Sequence, residues 1–169
     1  MFQETDIIYR EEQKFSLWLR WLVYLSMGLS VAISVFALTK ESASNGSQDT
    51  WEIILGVIVG IGVPIAITAL FILLKLQTEV HPDGIYVRFF PFHIHFKRFA
   101  AEDLSEYYAR QYKPIREYGG WGIRYSIRNG RAYNVRGNKG VQLVLSTGKK
   151  LLIGSQTPDE LADAIRSII

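Results

Sequence analysis

Residues 53–74 read IILGVIVGIGVPIAITALFILL, 22 consecutive positions without a charged side chain. A helix rises 1.5 Å per residue and the hydrocarbon core of a bilayer is about 30 Å thick, so about 20 apolar residues cross it. Helix is the form such a segment takes in lipid, because an open strand would leave backbone groups unpaired. A second apolar run lies upstream. It starts at Phe15, carries Arg20 near its beginning, and is uncharged from Trp21 to Thr39. Trp18, Trp21 and Tyr24 gather at one end of that run and Trp51 opens the later one, as aromatic residues do at membrane–water interfaces. Arg20 is placed to snorkel back to the headgroups.

This order predicts a cytoplasmic N-terminal segment over 1–14, transmembrane helices over 15–39 and 53–76, an external loop over 40–52, and a cytoplasmic domain over 77–169. Cleavage as a signal peptide near Ser42 and Ser44 does not fit. The first apolar run is longer than the usual 7–15 residues, and a polar stretch containing several acids precedes it. The connecting loop holds one basic residue, Lys40, beside Glu41 and Asp49. Arg10 and Lys14 precede the first run, Arg20 stands near its start, and Lys75, Arg88, Lys97 and Arg98 follow the second. Basic residues stay inside, so both termini are expected in the cytoplasm and the protein in the cell membrane with two spans. Ser26, Ser30 and Ser34 in the first run, and Gly56 and Gly60 in the second, recur every four residues, a spacing that lets helix backbones approach closely. They are expected to pack within one chain or, alternatively, between two copies. Pro64 is expected to kink the second helix, since it has no N–H to donate. Neither run carries an acid or a histidine at depth, which argues against a proton or ion path through this chain alone.

The net charge of +3 conceals an asymmetry: 15 Lys/Arg face 9 Asp/Glu from Lys75 onward, leaving the earlier part acidic. The absence of cysteine excludes disulfides, thiolate metal sites and a cysteine nucleophile. Beyond Leu76 short β-like runs alternate with turns. Pro82-Asp83-Gly84 separates strands over Thr78–Val80 and Ile85–Phe90. Phe92–Phe99 alternates Phe92, Ile94 and Phe96 against His93, His95 and Lys97. Residues 101–112 read equally as a short helix or as irregular chain. Asn129-Gly130 predicts a two-residue hairpin between Ile123–Arg128 and Arg131–Arg136, and Thr147-Gly148 a second between Val141–Ser146 and Lys149–Ile153. Thr157, Pro158 and Glu160 form the start of a capped helix, with Leu161, Ala162, Ile165, Ile168 and Ile169 on its apolar face.

Strands ending in Leu151-Leu152-Ile153-Gly154, then Ser155 to Ile165 with Thr157-Pro158-Asp159-Glu160-Leu161 at the helix start, resemble the pleckstrin-homology-like fold. More narrowly, the chain is similar to small bacterial membrane proteins in which a PH-like domain accompanies two transmembrane helices. The resemblance implies a membrane helical hairpin plus an antiparallel β-barrel or sandwich closed by a C-terminal amphipathic helix. It brings no catalytic residues to carry over.

Between Arg110 and Lys139 stand eight basic residues and one acid, Glu117, interleaved with aromatics. In a two-residue hairpin Arg128 and Arg131 would lie opposite each other with Arg124 on the same face. Such like charges disfavour one another unless an anion joins them. Arg116, Arg124, Arg128, Arg131 and Trp121 are therefore the candidate contact residues, for a protein partner or for anionic lipid. Trp121 between glycines is alternatively a packing residue. His93 and His95, with His81, Glu102 or Asp103 as a third ligand, are the candidates for a metal-dependent enzyme. No nucleophile–base spacing, nucleotide fingerprint or nucleic-acid motif stands out, and no cofactor is implied. The expected function is non-enzymatic: a domain at the membrane surface binding a protein partner, as an accessory or assembly subunit of a membrane complex. An anionic-lipid sensor is the alternative. Full-length chain made without detergent is expected to aggregate; a monodisperse species in plain buffer, by light scattering, contradicts the membrane reading.

Overall fold

Leu76, Thr78 and Val80 alternate with Gln77, Glu79 and His81, giving a strand two unlike faces. In a computed structural model, which describes residues 7–43 and 50–169, that strand is the second of nine. Residues 44–49 of the expected external loop lie outside the described residues, as do the side chains of Arg20, Lys40, Glu41 and Ser42. The chain divides into two compact units, one built from the residues up to Lys14 with Leu74–Ile169, the other from Phe15–Leu73.

The first unit has two sheets. In one, β1 (Tyr9–Lys14), β2 (Lys75–His81), β3 (Gly84–Phe90) and β4 (Lys97–Ala100) follow chain order and are all antiparallel. The other holds β5 (Leu104–Gln111), β6 (Gly122–Ser126), β7 (Gly130–Asn134), β8 (Lys139–Leu145) and β9 (Lys150–Gly154), in the order β5-β8-β9-β7-β6. Here β7 runs parallel to β9. In the first sheet, Leu76 pairs with Phe89 and Val80 with Ile85, so these residues and Val87 form one buried face. Val141, Leu143, Leu151 and Ile153 share a buried face of the second sheet. A terminal helix, α5 (Pro158–Arg166), buries Leu161, Ala162 and Ile165 and touches β2, β5 and β8.

Two sheets with a parallel pair and no closed barrel correct the PH-like barrel expected from the resemblance. The cause lies in β7. Its hairpin with β6 does not continue antiparallel into β8; β9 takes the place beside β8 and β7 docks on the far side of β9. Residues 9–14, to which the sequence reading assigns no element, form an edge strand. Thr157 occupies the N-cap position of α5 without a capping bond, so the expected capping box does not form. Its hydroxyl instead lies 2.9 Å from the Tyr9 hydroxyl.

That contact belongs to a polar seam. The Glu11 carboxylate accepts hydrogen bonds from the Tyr9 hydroxyl (2.7 Å), the Ser155 hydroxyl (2.7 Å) and the Gln156 N–H (2.8 Å). Buried Gln13 donates to the Gly154 carbonyl at 2.7 Å. Burial pushes the Tyr9 hydroxyl up to about 12, so it remains a donor at any physiological pH.

The second unit contains α1 (Leu17–Ala43), α2 (Thr50–Val57) and α3 (Val63–Leu73), the last two joined through a π turn at Ile58–Gly62. Val57 and Val63 both keep helical angles, and the Val63 N–H bonds to the Ile58 carbonyl, so α2 and α3 are one continuous rod. The wide turn sits directly before Pro64, where a tight turn would press the proline ring on a carbonyl. Within that rod Ile54–Leu73, 20 residues, is the one helix among the described residues long and apolar enough to cross a membrane. In α1 the apolar stretch among the described residues, Trp21–Phe36, falls short of that length, so the expectation of two transmembrane helices is corrected to one candidate span. Tyr24, Met27 and Val31 of α1 share an apolar groove with Pro64, Thr68 and Ile72 of α3. Of the expected small-residue stripe, Ser34 meets Gly60, where a Cβ would come within 2.6 Å of the serine Cβ. Ser26 and Ser30 are exposed; the Ser26 hydroxyl donates to the Val23 carbonyl, and the Ser34 hydroxyl to the Ser30 carbonyl, along their own helix.

Glu11→Ala leaves three donors without their acceptor and should lower stability by about 1–3 kcal/mol. Glu12→Ala, on the other face of β1 in exposed ion pairs, should cost under about 1 kcal/mol. Thermal unfolding of the detergent-solubilised protein checks the contrast.

Candidate functional site

Two hairpin tips lie side by side in the second sheet because β7 and β9 are parallel neighbours. Arg131 pairs with Leu151. The β6–β7 turn is Ile127–Asn129, three residues, since Ser126 pairs with Gly130. Gly130 has φ +74°, and a Cβ there would meet the Lys150 carbonyl carbon at 2.7 Å. Glycine thus lets the first tip close on the second, whose turn is Thr147-Gly148.

Between the tips is a groove of about 480 Å³, lined by Arg128, Arg131, Lys149 and Lys150 with Tyr125, Ile127 and Phe99 among its apolar walls. Its lining includes no acid and no histidine. No Asp or Glu occurs anywhere from Tyr118 to Pro158, nor from Gly84 to Ala101. Ile127, at the tip, is 94% exposed and Tyr125 72%. Arginine stays protonated at any working pH, so the groove offers fixed positive charge beside apolar contact area.

Beside Arg131 the buried Tyr133 hydroxyl accepts from Arg131 and from Lys97, each at 3.4 Å, and the His93 ring meets the Tyr133 ring edge-on at 5.6 Å. Burial, then Lys97 and Arg131, hold the His93 pKa below its usual value near 6.5.

The three-residue turn overturns the expected arginine face. Arg128 lies in the turn, and Arg131 pairs with Tyr125 instead. Arg124 pairs with Ala132, on the opposite face, and donates to the Trp121 carbonyl at 2.9 Å. Arg116 is exposed on α4 (Pro114–Tyr118), which packs Tyr118 with Tyr112, Ala132 and Leu152 on that opposite face. Trp121 donates to the Gly137 carbonyl at 3.0 Å and so pins two turns together. Of the five expected contact residues, the structure gathers Arg128 and Arg131 in the groove. Lys149 and Lys150 join them, residues that the sequence reading did not weigh. Their signal was a lysine pair at a hairpin turn, which becomes a site through β7–β9 pairing alone.

His93 and His95 lie in the loop before β4, so they do not share a strand face, and His81 sits on β2 against Glu79. Among the described residues no group of three His, Cys, Asp or Glu is placed to hold a metal ion.

The groove's position follows from hydrogen bonds and register. Ser146 donates twice to the Asp103 carbonyl (2.8 Å each), and Ala101 donates to the Asp83 carbonyl (3.4 Å). These links place the β8–β9 tip beside the Pro82-Asp83 turn. The chain leaves for and returns from the helical unit at the other end of the first sheet, where Lys14 pairs with Lys75. Strands of seven residues separate the two ends by about 20 Å.

A family model described as a family of unknown function, DUF6141, matches residues 2–169. The chain belongs to DUF6141. No curated protein matches it. The DUF6141 groove is thus read from its own chemistry.

In this DUF6141 chain, His93 takes up a proton less readily when folded than when unfolded. Stability should therefore fall as pH drops through about 6.5. His93→Gln should flatten the slope of melting temperature against pH between about 7 and 5; an unchanged slope contradicts this.

Proposed function

We propose that the protein is a membrane-tethered docking subunit whose basic groove receives an acidic segment of a protein partner. Three features support the tether. The Ile54–Leu73 helix is only 6% buried, unlike the core helix of a soluble domain. Its two flanking strands pair with each other, Lys14 against Lys75, so the chain re-enters the domain where it left. An insert with adjacent ends crosses a bilayer an even number of times. The return path falls to α1, 27 residues and about 40 Å long. Arg10, Lys14 and Lys75 at the domain end, against Lys40 alone in the loop, favour a cytoplasmic domain and cytoplasmic termini.

The observation that carries the docking reading is the acid-free groove at the sheet end opposite the tether. Phe99 of the groove lining pairs with Ile85, next to the Pro82-Asp83-Gly84 turn and away from the Lys14–Lys75 pair. Ile127 and Tyr125 supply apolar anchors among the charges, a combination suited to a protein segment.

A photocrosslinker at Tyr125 in native membranes should give a protein adduct. Arg128→Glu with Lys150→Glu should weaken it at least about tenfold, as should raised salt. Adducts only with lipid, or none, would sink this reading.

A further inference from the structure

Phe90, the last residue of β3, pairs with Lys75, which pairs on its other side with Lys14. Loop 91–96 therefore springs from the end of the sheet where the helical unit is attached. The loop is braced in one shape. The His93 N–H bonds to the Phe89 carbonyl at 2.8 Å, and Arg88 reaches the Ile94 carbonyl at 3.4 Å. Arg88 is itself held by two bonds to the Gln77 side-chain carbonyl (2.8 and 2.6 Å), and its guanidinium lies 4.4 Å from the Phe96 ring centroid. With His93 and Phe96 turned inward, Phe92 is left 61% exposed and Ile94 71% exposed.

From these placements we infer that loop 91–96 is a second membrane contact: Phe92 and Ile94 enter the bilayer interface beside the attachment point. The argument for lipid as occupant is threefold. The loop stands at the end of the sheet that joins the helical unit; its exposed side chains are large and apolar; and the Arg88 guanidinium reaches the Ile94 carbonyl, with no acid in the sequence between Gly84 and Ala101. Exposed apolar side chains beside a guanidinium, with no acid nearby in sequence, suit an anionic interface. Bracing in one shape lowers the ordering cost of insertion. The contact orients the domain, directing the Pro82-Asp83 end of the first sheet away from the surface. This inference rests on the membrane reading of the helical unit but not on the groove's partner.

The chain has no cysteine, so single labels are clean. Full-length protein carrying an environment-sensitive fluorophore at Phe92→Cys, Val59→Cys or Ser167→Cys is reconstituted in phosphatidylglycerol–phosphatidylcholine vesicles with or without brominated acyl chains. Val59, 58% exposed in the apolar rod, reports insertion of the helices. The label at 92 should be blue-shifted and quenched to an extent comparable with that at 59, while the label at 167 is neither. Adding Ile94→Asp at its exposed position should reverse the shift at 92. Quenching at 59 with 92 behaving like 167, or no effect of Ile94→Asp, overturns the inference alone. Absence of quenching at 59 overturns the membrane reading and this inference with it.

Discussion

Antiparallel pairing of residues 9–14 with 75–81 is the constraint on which the rest of the molecule depends. It joins segments more than sixty positions apart across the whole helical insert. An open loop of that length carries an entropic cost that rises only slowly with its length. The backbone ladder is backed by the Glu11 seam on one face and by Glu12 with Lys75 (2.9 Å) and Arg10 with Glu79 (3.3 Å) on the other. Closing the insert this way gives it adjacent ends. Without β1, the strand carrying Leu76 and Val80 would become an edge, and edges with an apolar face invite wrong pairing.

The second sheet obeys a different logic. Its parallel β7–β9 pair places two turns together that are remote in sequence, and both turns carry basic residues. Four cations converge on one groove with no carboxylate to neutralise them. A fold gains nothing from such repulsion. Elsewhere in the same unit charges are matched: Arg98 with Asp83, Arg110 with Glu117, Arg166 with Asp163. The contrast within one domain is the reason for reading the groove as a place where negative charge arrives from outside.

Local signals were legible where local chemistry decides the outcome. The Pro82-Asp83 turn, the Thr147-Gly148 hairpin, and the burial of Leu161, Ala162 and Ile165 follow from turn residues and periodicity. What depends on distant pairing was not legible. Residues 9–14, YREEQK, contain one aromatic and no aliphatic residue; they are a strand because β2 accepts them. Phe92–Phe99 alternates like a strand, yet Pro91 and the bracing by Arg88 turn its first half into a loop. Asn129-Gly130 signalled a two-residue turn, and the approach of Gly130 to the Lys150 carbonyl goes with a three-residue one. That single-residue difference moved Arg128 into the turn and separated Arg124 from Arg131, so half of the candidate site could not be read from spacing.

The domain is thus polarised along its first sheet. At one end stand the attachment point, Lys14, Lys75 and the exposed Phe92 and Ile94; at the other, the Pro82-Asp83 turn and the tips that line the groove. A single tether would leave such a body free to rotate, and a groove in random orientation would meet a partner less often. The contact inferred for Phe92 and Ile94 would reduce that freedom. The position of loop 91–96 follows from the same register that closes the helical insert, since Phe90, Lys75 and Lys14 are neighbours in one ladder.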